Sequence, residues 1–342
     1  MMQRRTRIVA GSLALAVVAG CSGSVRLSGA VEGEAPPVTD AVVPAAKECT
    51  AAQAALDPTR SYEPTGPLPT PGTMPAGSTM EAIQKRGKLI VGVSGDTLLF
   101  GARNTLTNQI EGFDIDMLKE VAKAIFGPEG DKNITYKVIT YADRLPNLEA
   151  GPDNGGVDIV AHTMTINCNR WLRIAFSSEY FHAGQRVLVK KGSGFTSIDG
   201  LNAGKATVCA PEGSTNIDLL RKNADNRFGN LVVLAKPDVT DCLVAMQQGQ
   251  ADGATGDDTV LAGLAAQDPN TEVVGKPFTD EPYGLGMAKD KIDFVQFVNS
   301  VIEAMRTDGR WQSIYSKWLV GVLSDAVIDP PPAIYGRELP GD

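Results

Sequence analysis

The sequence predicts an α/β protein of two lobes, each an open sheet flanked by helices, and three observations carry that prediction. From about residue 78, short apolar runs alternate with amphipathic helical stretches, the pattern of sheets joined by crossover helices. The alternation restarts after the strand-like run QRVLVKK, which ends at Lys191. A strand and a helix then return near Gly284 and Phe294, so the first lobe is predicted to be discontinuous (78–183 and 284–323), with a second (186–281) inserted into it. Two strands would cross between the lobes, near Phe181–Val187 and Thr279–Gly284.

Ahead of the lobes the chain reads as a targeting signal. Arg4, Arg5 and Arg7 make a positive start, and residues 8–20 form an apolar stretch too short to span a bilayer stably. Val18-Ala19-Gly20 then lead directly into Cys21, which resembles the lipobox of bacterial lipoproteins. That likeness implies that residues 1–20 are removed as a signal peptide and that Cys21 carries the lipid. Residues 21–77 are rich in Ala, Pro, Gly, Thr and Ser with no sustained period, the composition of a semi-extended tether. No later apolar stretch is long enough to span, which leaves lipid as the anchor. At the far end, residues 324–342, with Pro330-Pro331-Pro332, read as a loose tail.

Within the first lobe, Lys88–Val93 (KLIVGV) reads as a buried strand. Phe113–Phe126 places Ile115, Leu118, Val121, Ala122 and Ile125 at helical spacing. Ile134–Tyr141 follows as a strand, and a loop carrying Asp143 and Arg144 leads into a short helix, Leu145–Glu149. Residues 157–173, VDIVAHTMTINCNRWLR, begin as an apolar strand and end in Thr163, Thr165, Asn167 and Arg170. Ligands of open α/β sheets sit beyond the carboxyl ends of the strands. A guanidinium placed there can grip a carboxylate through two parallel hydrogen bonds, although an arginine in a loop can equally serve as a cap. The second lobe repeats the pattern, with strands at Lys205–Cys209, Asn230–Ala235 and Ala251–Thr255, each followed by a helix. Helices at Phe294–Arg306 and Arg310–Leu319 complete the first lobe.

The 342 residues carry a formal charge of −8 with no basic stripe, which argues against a nucleic-acid partner. The two histidines, His162 and His182, are too scattered for a metal site, and no metal is expected. The chain has no Ser/His/Asp order, phosphate loop or metal spacing, and the adjacent Asp257 and Asp258 diverge at a helix start rather than converge as an acid–base pair. An enzyme is therefore not expected, nor a cofactor. Setting Cys21 aside leaves Cys49, Cys168, Cys209 and Cys242, an even set that allows three pairings in an oxidising compartment. Cys209 ends a strand and Cys242 begins a helix of the same lobe, which favours that pair and leaves Cys49 with Cys168 by exclusion.

Taken in order, GKLIVGV, GFDIDMLKEVAKAI, VDIVAHTMTINCNRW, SEYF, APEGST with DLLRKN, ADGATGDDTVLAG and DGRWQSIYSKWL resemble the polar amino-acid-binding proteins. These are the extracytoplasmic solute receptors of ABC importers, of the glutamine, glutamate and aspartate type. The likeness covers residues 80–322, and the lipobox and Pro-rich tether are similar to Gram-positive and actinobacterial members. It implies the two-lobed periplasmic-binding-protein fold (type II-like), closing on its ligand about the two crossing strands. It also implies that Arg170 takes the ligand's α-carboxylate, with Thr163 and Thr165 on the same loop. Gly213, Ser214 and Thr215 would offer backbone N–H groups at a helix start. Asp257 would take the α-ammonium, with Asp258 as the helix N-cap. The sequence departs from the pattern at Cys168, where members often carry an acid, and at His162, where a small residue is usual.

One carboxylate and one ammonium are balanced by Arg170 and Asp257, so a further buried cation implies a second anion on the ligand. Arg144 stands where members that bind acidic amino acids tend to carry arginine. The expected ligand is therefore aspartate or glutamate, with asparagine and glutamine weaker, and Arg103 and Lys137 as lesser helpers. The expected partner is the membrane permease of an ABC transporter, the receptor itself being a monomer. The alternative output is a nutrient sensor that signals to a membrane protein through the same closed form.

Overall fold

The computed structural model describes residues 48–222, 227–323, 326 and 328–338. The signal segment, Cys21 and the first part of the predicted tether lie outside the described residues.

Two five-stranded sheets form the frame. The first runs in the order Ile134–Val138, Leu89–Val93, Ile159–Ala161, Gly286–Ala288, Ile174–Phe176. The second runs Val232–Lys236, Thr207–Pro211, Gly253–Asp257, Gln185–Lys190, Thr271–Val274. Alternation in the sequence suggests fully parallel sheets, and the first three strands of each are indeed parallel. The fourth strand of each sheet departs from this, running antiparallel to both its neighbours. Both of these strands arrive from the other lobe, so no crossover helix returns them to the end where a parallel strand would start. The crossings themselves, Phe181–Ala183 and Glu281–Tyr283, pair antiparallel as a two-stranded ladder.

The helices cover these sheets through the residues their spacing assigns. Phe113–Phe126 buries Phe113, Ile115, Leu118, Val121, Ala122 and Ile125. Phe113 sits edge-on to Phe181 and Trp311, which ties this helix to a crossing strand and to the last helix, Arg310–Trp318. In the second lobe, Val239–Gln247 and Asp258–Gln267 pack one face of the sheet through Leu243, Met246, Leu261 and Leu264. The Cys209–Cys242 disulfide joins the strand of this face to its helix. Weak local signals left some elements unread, among them helix Thr79–Arg86 and a small ladder of Asp96–Thr97, Gly101–Arg103 and Ile110–Glu111.

Two expectations are corrected by packing. The predicted tether does not stay extended through residue 77. Tyr62 and Met74 are buried in the first lobe's core, and the Trp171 indole donates to Pro58 O at 2.8 Å. Nor are residues 328–338 of the predicted tail loose. Ser61 N–H donates to Ile334 O at 2.8 Å and Arg337 N–H to Ser61 O at 3.0 Å, while the Arg337 guanidinium lies 3.6 Å from the Trp171 ring centroid. Prolines hide this packing, because segments without a period gain their burial from a surface that folds elsewhere in the sequence. The Cys49–Cys168 disulfide fixes the start of the strap to the short helix Cys168–Trp171.

Asn299, fully buried on helix Ile292–Asp308, is the polar centre of this arrangement. Its amide donates to Ser61 Oγ at 2.9 Å and Tyr62 O at 2.8 Å, and its oxygen accepts from Ser178 N–H at 2.7 Å. Replacing it takes this partner from Tyr62 O and Ser178 N–H, while Ser61 Oγ keeps its bond to Phe176 O at 2.8 Å. Asn299→Ala is expected to cost about 2–3 kcal/mol, read as a lower denaturant midpoint at unchanged slope. A slope that also falls would show instead that the strap detaches as a separate step.

Candidate functional site

The cleft is built where strand ends meet helix starts. The segment 161–170 leaves the first sheet at Ala161 and turns at Thr163, whose φ of 41° lies in the region most side chains avoid. Asp114, at the start of helix Phe113–Phe126 and 1% exposed, holds that turn: it accepts Thr163 N–H at 2.8 Å and the Tyr180 hydroxyl. Burial pushes Asp114 up to about 6. Asn167 then caps the short helix by accepting Arg170 N–H at 2.9 Å, which sets the base from which the Arg170 side chain reaches back.

Arg170 and Arg144 converge from different elements. Arg170 Nη1 donates to Thr165 O at 2.6 Å and Nη2 to Gly213 O at 3.3 Å. Arg144, the first residue of its helix, is 1% exposed; it donates to Tyr141 O, His162 O and, at 3.0 Å, to the same Gly213 O. Its guanidinium also lies over the Tyr141 ring. Every hydrogen bond that these two side chains make among the described residues goes to a main-chain carbonyl. Burial pulls both below the ordinary arginine value; the Arg170 charge adds to the effect on Arg144, and Glu281 opposes it on Arg170.

Gly213 explains how the second lobe comes so near. Its φ is +79°, and a Cβ there would lie 2.7 Å from Ala142 Cα, so the turn requires glycine. Ser214 is in place but not turned toward the cleft: its hydroxyl donates to Pro211 O at 2.7 Å and accepts Ile217 N–H at 3.1 Å, capping its own helix. Thr215, the first residue of that helix, does face Thr165, oxygen to oxygen 3.3 Å. Asp257 is 4% exposed and accepts Asn216 Nδ2 at 2.9 Å and the Tyr283 hydroxyl at 2.6 Å. Burial first, then the charge of Glu281, pushes its carboxyl up to about 7. The N-cap position falls on Asp257, one residue earlier than expected; Asp258 is the first helical residue and accepts Gly184 N–H at 3.3 Å.

Besides Asp114, sequence reasoning missed Glu281. It lies on a crossing strand, is 3% exposed, and accepts from Thr165 Oγ1 at 2.6 Å, Thr215 Oγ1 at 2.8 Å and Thr279 Oγ1 at 2.7 Å. An acid in the middle of a predicted lobe crossing was the available signal. Its presence corrects the charge count, which set Arg144 and Arg170 against Asp257 alone. Arg103 and Lys137 do not join the group: Arg103 bonds Asn108, and Lys137 bonds Gly155 O. Arg103 instead lines a cavity of about 290 Å³ beside Asp96 and Thr240, which bond each other across the lobes. His162 is buried; Nε2 contacts Ile139 O at 3.1 Å, and burial lowers it to about 3, so the ring is neutral. Glu179 holds His182 outside the cleft. Among the described residues no cluster of His, Cys, Asp or Glu could hold a metal ion.

The arrangement therefore sets two guanidiniums, Arg144 and Arg170, within electrostatic reach of two carboxylates, Asp257 and Glu281. Residues 89–321 match the model of the bacterial extracellular solute-binding proteins, family 3. The ABC transporter glutamine-binding protein GlnH of Bacillus subtilis (strain 168) is 39% identical over 241 residues, 70% of this chain and 84% of that protein. A glutamate/aspartate import solute-binding protein of Salmonella typhimurium is 29% identical over 252 residues, 72% of this chain and 81% of that protein. Among solved structures, a solute receptor for L-cysteine from Neisseria gonorrhoeae shares the fold at a TM-score of 0.66 and 24% identity, covering 72% of this chain and 96% of that one. With its two sheets, two crossing strands and a cleft between them, this chain belongs to the family 3 extracellular solute-binding proteins of bacteria.

Proposed function

We propose that the protein is an extracytoplasmic amino-acid receptor that closes its two lobes on aspartate or glutamate and delivers it to an ABC-type importer. The observation that carries the acidic preference is the convergence of Arg144 and Arg170 on Gly213 O. Two buried guanidiniums whose bonds all go to neutral carbonyls are poorly compensated, and a ligand with two carboxylates compensates both. On this reading Arg170 takes the α-carboxylate, Arg144 the side-chain carboxylate and Asp257 the α-ammonium. Cys21, as a lipidation site, would hold the receptor at the cell membrane.

A second reading, glutamine, is favoured by the 39% identity to a glutamine-binding protein and by the added negative charge of Glu281. Calorimetry with L-aspartate, L-glutamate, L-asparagine and L-glutamine decides between them. Tightest binding of glutamine would replace the acidic reading with this one.

Removing one partner of a buried charge pair costs about 2–5 kcal/mol. Arg170→Ala is therefore expected to weaken all four ligands by about 30-fold or more. Arg144→Ala should weaken aspartate and glutamate far more than their amides; equal losses across the four would remove Arg144 from side-chain recognition. The pH dependence follows from Asp257, raised to about 7. The ligand's ammonium favours the ionised carboxylate, so binding near this pH releases a proton and tightens as pH rises. The calorimetric enthalpy should accordingly vary with the ionisation enthalpy of the buffer, and Asp257→Asn should abolish both the variation and most of the affinity.

A further inference from the structure

Glu281 accepts three hydroxyl groups, and two of them face each other across the cleft, Thr165 from the first lobe and Thr215 from the second. A threonine hydroxyl has one proton to donate and two lone pairs to accept with, whereas an ionised carboxylate only accepts. At 2.6 and 2.8 Å, both protons are committed to the same oxygen, Oε2 of Glu281. The 3.3 Å contact between the two threonine oxygens therefore has no proton of its own to share fully.

We propose that Glu281 is a specificity-determining residue that fixes the hydrogen-bonding sense of Thr165 and Thr215, so that both hydroxyls meet the ligand with lone pairs alone. They then read a donor. Lone pairs turned toward a carboxylate repel it, so the two threonines belong with Asp257 on the ammonium side, and the carboxylate is left to the arginines. Asn216 binds Asp257 Oδ1 and follows Thr215 in the same helix, which places the two acceptor groups beside each other. Glu281 also lies on the crossing strand that pairs with Phe181–Ala183, so the same carboxylate contacts both lobes and the hinge. The inference rests on the amino-acid reading and sharpens it: the cleft would carry two acids for a single ammonium, one direct and one acting through threonine protons.

The test compares each amino acid with its analogue lacking the α-ammonium: L-glutamate with glutarate and L-aspartate with succinate, by calorimetry on the full chain. L-asparagine and L-glutamine are included as binding controls. Wild type should favour the ammonium-bearing partner, and Glu281→Gln should cut that preference by about tenfold, because the neutral amide can donate and frees the hydroxyl protons to reorient. Thr215→Val, which keeps the shape and leaves the hinge acid in place, should cut it in the same direction. A purely structural role would weaken both members of a pair alike, so an unchanged ratio in the two variants, with melting showing them folded, overturns the proposal. If wild type binds none of the four amino acids, the receptor reading itself fails and this one with it; binding without a change in ratio removes only the role of Glu281.

Discussion

The cleft depends on keeping four charged groups out of water and still compensated. Arg144, Arg170, Asp257 and Glu281 are each less than a tenth exposed. An isolated charge at such depth would be prohibitively costly, so each must be hydrogen-bonded. The hydrogen-bond partners within the chain are neutral: carbonyls for the guanidiniums, and hydroxyls and an amide for the acids. Those partners come from both lobes and from the crossing ladder. In this structure the compensation therefore draws on both lobes at once: Gly213 O of the second lobe accepts from both guanidiniums of the first.

Much of the fold was legible because its signal is local. The helix at Phe113–Phe126 follows from its spacing alone, and the lobe crossings follow from where the alternation restarts and returns. What escaped is non-local. The strap over the first lobe has no period, and its burial comes from Trp171, Phe176 and Asn299, more than a hundred residues away. The antiparallel fourth strands were hidden for the same reason, since direction is set by the route of the chain rather than by composition.

In the cleft the sequence pointed to the residue types but not to what occupies them. Ser214 and Thr215 are neighbours of similar chemistry, yet one caps its own helix and the other faces the opposite lobe. Only the geometry of the turn separates them. Glu281 was passed over because an acid on a strand reads as solvent-facing, whereas this strand is a hinge with protein on both sides. Asp114 was passed over because the first turn of a helix favours an acid for its own sake. Its carboxylate in fact supports the strained Thr163 from the far side of the loop.

The contact between Gly213 and Ala142 is main chain against main chain. Both residues lie in turns beyond the strand ends, and a side chain yields by changing rotamer where main chain must shift as a unit. A side chain at Gly213 would meet Ala142 Cα at 2.7 Å and Ala142 N at 3.0 Å, atoms that no rotamer change can move aside. Glycine at 213 is thus what lets a turn of the second lobe lie against a turn of the first, and any larger residue there would hold the two apart.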